Sequence, residues 1–121
     1  MATDSKLTAL QAVSEEILTE EELLAFLNSK SPIKHYIGFE ISGMVHIGTG
    51  IMTMRVIKAL QDLGVETTCF LADWHSYINK KLGGDIDVIR ELALSYFKEA
   101  LVASALCVGA DPNKIAFVLA D

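Results

Sequence analysis

His35-Tyr36-Ile37-Gly38-Phe39-Glu40, followed after a short loop by His46-Ile47-Gly48-Thr49-Gly50, is the stretch from which the fold is read. The first six residues alternate apolar and polar and read as a strand. Alternate strand residues share a face, so Tyr36, Gly38 and Glu40 line one side and Ile37 and Phe39 the other. The apolar side is suited to pack on helices. A side carrying a phenol, a glycine and a carboxylate is suited to be a pocket wall. Residues 46–63 have helical spacing and stop at Gly64, in the position of a C′ glycine.

The pattern then repeats. Val65 to Asp73 reads as a second strand, and Asp85 as the cap of a long, largely buried helix through Val108, with apolar residues at Leu92, Leu94, Phe97, Leu101, Val102 and Leu106. Gly109 and Pro112 follow it, and Ile115 to Leu119 reads as a third strand. Strand, helix, strand, helix, strand predicts an α/β fold. It is a Rossmann-like parallel sheet with right-handed crossovers, the βαβαβ half of a doubly wound domain. Ligands of such sheets lie beyond the carboxyl ends of the strands: Glu40 to His46, Ala72 to His75, and Ala120-Asp121. Ahead of the sheet, residues 5–17 have helical spacing (Leu7, Leu10, Val13, Ile17). Thr19-Glu20-Glu21-Glu22 reads as a capping box opening a second short helix. The expected organisation is a helical extension over residues 1–33 and the first half of a Rossmann-like domain over 34–121, with no second half.

Composition narrows the function classes. Of 121 residues, 51% are apolar, and the 10 basic against 16 acidic residues give a net charge of −6, which excludes a basic phosphate-neutralising clamp. Cys69 and Cys107 both sit in apolar runs without a CxxC or Cys/His cluster, so both read as buried thiols and no metal site is expected. No signal-peptide pattern and no membrane-length apolar run occur, which fits a cytoplasmic protein without a membrane partner.

The chemistry-bearing residues gather at the first strand end. A helix start offers unpaired amides and a positive dipole end, both suited to phosphate. Gly48 and Gly50 leave room for a nucleotide against the backbone, and His46 can donate to a phosphate oxygen. Neither G-x-G-x-x-G nor G-x-x-x-x-G-K-[ST] is present.

Tyr36-Ile37-Gly38-Phe39-Glu40-Ile41-Ser42-Gly43 with His46-Ile47-Gly48-Thr49 resembles the first signature of the class I aminoacyl-tRNA synthetases. It is most similar to the tyrosyl-tRNA synthetases of archaeal and eukaryotic type. Leu71-Ala72-Asp73-Trp74-His75-Ser76-Tyr77-Ile78-Asn79-Lys80-Lys81 resembles the segment after the second strand in the same family. The resemblance runs from about Glu20 to Asp121. It implies ATP-dependent activation of tyrosine, with Mg²⁺, to tyrosyl-adenylate and transfer to tRNA(Tyr).

On that resemblance Tyr36, Gly38, Glu40, Ser42, Asp73 and His75 would meet tyrosine. Gly43, His46, Gly48 and Thr49 would hold ATP, and His46 and Thr49 would serve the catalytic step. Thr49 stands where the family often has a second histidine, and Ile41 where proline is common. The family's lysine-rich loop has no counterpart among Lys80, Lys81, Arg90, Lys98 and Lys114. The chain therefore reads as the N-terminal half of a catalytic domain, with little aminoacylation expected from it alone. An edge strand left open is a route to homo-oligomers. Two other readings stand beside this one: a small nucleotidyltransferase of the same superfamily, and a non-catalytic nucleotide-binding or interaction module.

Overall fold

The structure, a computed structural model, describes residues 2–120, with side chains from Asp4 onward. Met1 and Asp121, the latter expected at the third strand end, lie outside the described residues. In chain order the main elements are α1 (Ala2–Gln11), α2 (Glu20–Asn28), β1 (Lys34–Glu40), α3 (Thr53–Asp62), β2 (Glu66–Ala72), α4 (Asp73–Ile78), α5 (Ile86–Leu92), α6 (Lys98–Cys107) and β3 (Ile115–Leu119). Among the described residues the strands form one parallel sheet in the order β1-β2-β3. This is the Rossmann-like α/β half that the alternation predicts.

Register explains why one face is apolar. Ile37 pairs with Cys69 and Phe39 with Leu71 across β1 and β2; Thr67 pairs with Ile115, Cys69 with Phe117 and Leu71 with Leu119 across β2 and β3. That face meets Met54 and Ile57 of α3, Ile89 of α5 and Leu101 and Ala105 of α6, all fully buried. Each fully buried Leu or Ile contributes about 2–3 kcal/mol of transfer free energy, so this layer dominates stability. Burial also pushes the Cys69 thiol up to about 12, which leaves it protonated and unreactive. On the same side His35, whose Nδ1 lies 3.2 Å from Thr67 Oγ1, has its pKa lowered by burial. Tyr36, Gly38 and Glu40 line the opposite face with Thr68, Phe70, Ala116 and Val118. Both crossovers step the same way across the sheet, so both helical layers fall on one side.

The helix ends are set by local chemistry. Thr19 Oγ1 accepts from the Glu22 amide at 3.2 Å, and Asp85 Oδ1 accepts from the Asp87 and Val88 amides at 2.9 and 3.3 Å. Gly64 (φ +78°) closes α3 with paired Gly64 N–H to Gln61 and Val65 N–H to Leu60 carbonyl bonds of 2.9 and 3.0 Å, a Schellman motif. Gly109 (φ +76°) closes α6 in the same way.

Several boundaries differ from the sequence reading, and each difference has a tertiary cause. The helix expected over 5–17 ends at Gln11, whose side-chain amide donates to Glu20 Oε1 at 2.6 Å and turns the chain back into α2. Val13 then sits with His35, Ile37 and Val56 rather than on a helix. The helix expected from residue 46 starts at Gly48, and its first residues, Gly48–Met52, are π-wound. The second strand ends at Ala72; Asp73 opens α4 instead. The long helix after Asp85 is continuous but carries a π turn at Ala93–Phe97. Leu94 and Leu106 on it are exposed, because only one of its faces meets the sheet. For the same reason Cys107 is exposed rather than buried.

Gly50 also departs from its expected role. It is buried, and an added Cβ would strike Ser104 Oγ of α6 and lie 3.0 Å from Val45 Cγ1. Its missing side chain serves helix packing, not a nucleotide. Gly50→Val is expected to lower the unfolding free energy by about 1–3 kcal/mol, the usual penalty for overpacking. Urea denaturation checks this, and unchanged stability would contradict the close approach of Ser104.

Candidate functional site

The carboxyl end of β1 and the start of α4 build the site. The chain leaving β1 is tied down twice. Ile41 N–H donates to Ser76 Oγ at 2.7 Å, and that hydroxyl donates to Ala72 O at 2.8 Å, both buried. Further along, Val45 N–H donates to Tyr96 Oη at 3.1 Å. Tyr96 lies in the Ala93–Phe97 π turn, and such turns re-aim side chains within a helix. Ser42 and Gly43 lie between these anchors and are exposed.

On the uncovered sheet face the Tyr36 ring lies 6.0 Å from the Phe70 ring, tilted by 38°. Its hydroxyl reaches along the strand over Gly38, where an added Cβ would come within 3.3 Å of Tyr36 Oη. The phenol is 63% exposed, so this is an open wall rather than an enclosed pocket.

Glu40 ends β1 inside a polar cluster. Its Oε1 accepts from Asn79 Nδ2 at 2.6 Å and lies 3.8 Å from His75 Nε2, while Oε2 lies 3.6 Å from Lys81 Nζ. The Asn79 hydrogen bond, with Lys81 and His75 close by, outweighs partial desolvation and holds the Glu40 carboxyl below its usual range. This end of the sheet presents an ionised carboxylate.

His46, Gly48 and Thr49 form a second group. His46 is exposed, and its Nδ1 accepts from the Gly48 and Thr49 amides at 3.1 and 3.4 Å. Its Nε2 lies 3.1 Å from Thr49 Oγ1. The ring lies close against Gly48, where an added Cβ would be 3.0 Å from His46 Cε1. Here the imidazole occupies amides that the sequence reading leaves open for an anion.

Asp73 is placed differently from the rest. It is fully buried; its Oδ2 accepts from Arg90 Nε at 2.7 Å and its Oδ1 from the Ala120 amide at 3.2 Å. Burial raises its pKa, but the Arg90 side chain and the Trp74 and Ala120 amides prevail and lower it. Its carboxylate thus joins α4, α5 and the end of β3. Sequence reasoning does not single out Ser76, Asn79, Arg90 or Tyr96, whose roles depend on partners 17 to 51 residues away. Only the i, i+4 spacing of His75 and Asn79 could have signalled one of them.

Among the described residues no three His, Cys, Asp or Glu side chains converge to hold a metal ion, and no helix is long and apolar enough to cross a membrane. A groove of about 540 Å³, lined by residues including Gln61, Thr68, Asn113 and Lys114, opens at the amino ends of β2 and β3. It lies opposite the end at which such sheets take their ligands.

Comparison with known proteins agrees with this architecture. The chain is 56% identical over 108 residues to the tyrosine–tRNA ligase of Thermococcus kodakarensis, covering 89% of this chain and 29% of that protein. It is 51% identical over 112 residues to the tyrosine–tRNA ligase of Pyrococcus horikoshii, covering 93% and 30%. The chain thus spans under a third of the length of these relatives. The crystal structure of the Pyrococcus horikoshii tyrosyl-tRNA synthetase complexed with L-tyrosine superposes with a TM-score of 0.93 at 47% identity, over 98% of this chain and 32% of that one. The tyrosyl-tRNA synthetase of Aeropyrum pernix gives 0.82 at 36% identity, over 98% and 34%. The sequence pattern of the tRNA synthetases class I (W and Y) matches residues 28–120, and with that match the chain belongs to this class I synthetase family.

Proposed function

We propose that this chain forms the first half of the catalytic domain of a tyrosine–tRNA ligase (residues 34–121), preceded by a helical extension (1–33). The observation that carries this reading is that one strand, β1, delivers both groups of residues. It displays Tyr36, Gly38 and Glu40 along its open face and hands the chain directly to the His46 turn. In the reaction, the tyrosine carboxylate attacks the α-phosphorus of ATP and pyrophosphate leaves; a hydroxyl at the 3′ end of tRNA(Tyr) then attacks the tyrosyl carbonyl of the adenylate and AMP leaves. No covalent bond to the protein is needed, so positioning and charge are what the side chains supply.

Tyr36 would meet the phenolic hydroxyl of the substrate, with Gly38 leaving it room. The ionised Glu40, with His75 beside it, suits a cationic or hydroxyl-bearing partner. Ser42 and Gly43 sit where an adenylate would pass. His46, Gly48 and Thr49 would face the triphosphate. For that the ring must swing off the Gly48 and Thr49 amides, which then offers imidazole and amides together. Asp73 would act from below, by holding α4. Mg²⁺ enters as part of the ATP substrate. Cytoplasmic location and self-association through an open sheet edge belong to the same reading.

Tyrosine-dependent ATP–pyrophosphate exchange, with equilibrium binding of tyrosine and ATP, tests it. Exchange or binding that responds to tyrosine supports it. ATP binding without any response to tyrosine favours the binding-module reading, and exchange driven by another substrate favours a nucleotidyltransferase. Tyr36→Phe is expected to weaken tyrosine about tenfold and phenylalanine far less, because a site built to pair a hydroxyl penalises its absence. Equal losses for both amino acids would count against the assignment.

A further inference from the structure

Asn79 caps the carboxyl end of α4 four residues after His75, so both side chains leave the same face, toward Glu40. One Asn79 nitrogen serves two neighbours: Nδ2 is 2.6 Å from Glu40 Oε1 and 3.1 Å from His75 Nε2. An ionised carboxylate only accepts hydrogen bonds. The amide must therefore turn its NH₂ group toward Glu40, since the opposite flip would press two acceptors together. The second N–H then points at His75 Nε2. A ring nitrogen that accepts carries no proton, so the proton of the neutral ring resides on Nδ1.

We propose that Asn79 is a positioning residue that converts the negative charge of Glu40 into a fixed tautomer of His75, leaving Nδ1–H as the ring's only donor at the strand end. A proton on Nε2, in either the Nε2–H tautomer or the imidazolium, would face the Asn79 N–H. Asn79 would then have to turn away and surrender its 2.6 Å bond to Glu40. The titratable groups facing Glu40 are Lys81, 3.6 Å from Oε2, and His75, 3.8 Å from Oε1. Lys81 supplies a positive charge without the ring having to do so. Consistent with the geometry, Asn79 is the largest influence holding the Glu40 carboxyl low. The inference rests on the tyrosine-site reading only for what the Nδ1 donor is for: an acceptor on the amino acid or its adenylate.

Long-range ¹H–¹⁵N NMR of the histidine rings in the whole chain, taken above the ring's titration, tests the coupling directly. The expected spectrum shows Nδ1 of His75 protonated and Nε2 unprotonated, the reverse of the tautomer that free histidine prefers in water. Asn79→Ala should shift the tautomer ratio about fivefold to tenfold toward Nε2–H, the worth of one hydrogen bond, and raise the Glu40 titration midpoint followed by carboxyl ¹³C. Glu40→Gln should release the amide flip and shift the tautomer the same way. It serves alone if Asn79→Ala does not give a native backbone spectrum. Nε2–H in the unaltered chain, or an unchanged tautomer in a folded variant, would overturn the proposal. Tyrosine titrated into the same sample separates the two ideas: the expected tautomer with no response to tyrosine leaves the coupling standing and removes the substrate reading.

Discussion

Arg90→Ala is expected to lower the unfolding free energy by about 2–4 kcal/mol at neutral pH, the largest stability loss anticipated for any surface-reaching residue. Asp73 is fully buried and Arg90 is its charged partner, so truncation leaves an anion in the interior with the Trp74 and Ala120 amides as its hydrogen-bond donors among the described residues. The value is set below the usual figure of about 3–5 kcal/mol for breaking a buried pair because about a third of the Arg90 side chain is exposed and screened. Arg90 also lies 5.4 Å from the centre of the Trp74 ring, and the same truncation removes this cation–π attraction. Arg90→Lys keeps the charge but not the planar group, and should recover only part of the loss.

The pH dependence has a definite sign. The folded Asp73 pKa lies below the ordinary 3.8, so the stabilisation is complete above that value and is lost as pH falls through the folded pKa. The gap between the unaltered chain and Arg90→Ala should therefore be widest at neutral pH, narrow as acid protonates the unpaired Asp73 of the variant, and close once pH falls through the lowered folded pKa of the unaltered chain. Urea unfolding at a series of pH values measures it. A gap as wide well below the folded pKa as at neutral pH would show that the ion pair is not its origin.

The largest functional effect is expected at His46. His46→Ala should lower any tyrosine-dependent exchange about 100-fold to 1000-fold, the usual consequence of deleting one preorganised donor to a developing oxyanion, and should weaken ATP binding as well. A purely structural histidine predicts something else. As a local cap on the Gly48 and Thr49 amides it is exposed, and its loss would lower stability by only about 1 kcal/mol with ATP binding retained. His46→Asp separates the two, because a carboxylate caps amides well and repels a triphosphate. Lost ATP binding with normal stability in His46→Asp supports the phosphate role. ATP binding equal to that of the unaltered chain in both variants would remove His46 from the site.

Much of the architecture is readable from neighbouring residues because its causes are local. Alternation in Tyr36 to Glu40 assigns each side chain to a face. The caps at Thr19 and Asp85 answer amides two or three residues away, and Gly64 and Gly109 take up left-handed backbone that other residues disfavour. The strand–helix alternation then leaves little choice of topology, since parallel strands need crossovers of one hand. The candidate residues at the β1 exit follow from the same reasoning, because ligands of such sheets lie at strand carboxyl ends.

Other features depend on partners distant in the chain, and no local pattern encodes them. Gly50 reads as room for a nucleotide until Ser104 is seen against it; Cys107 and Leu106 read as core until one helix face is left without a covering layer. Asp73 looks like a pocket carboxylate in sequence, and only folding brings Arg90 and Ala120 to it. Asn79 is an ordinary polar residue until Glu40, 39 positions earlier, arrives within hydrogen-bond distance. Local propensity and periodicity act over a few residues and so dictate the elements and their faces. Burial, charge pairing and tautomer are decided by which surfaces meet, and that is settled only when the sheet and its helices pack.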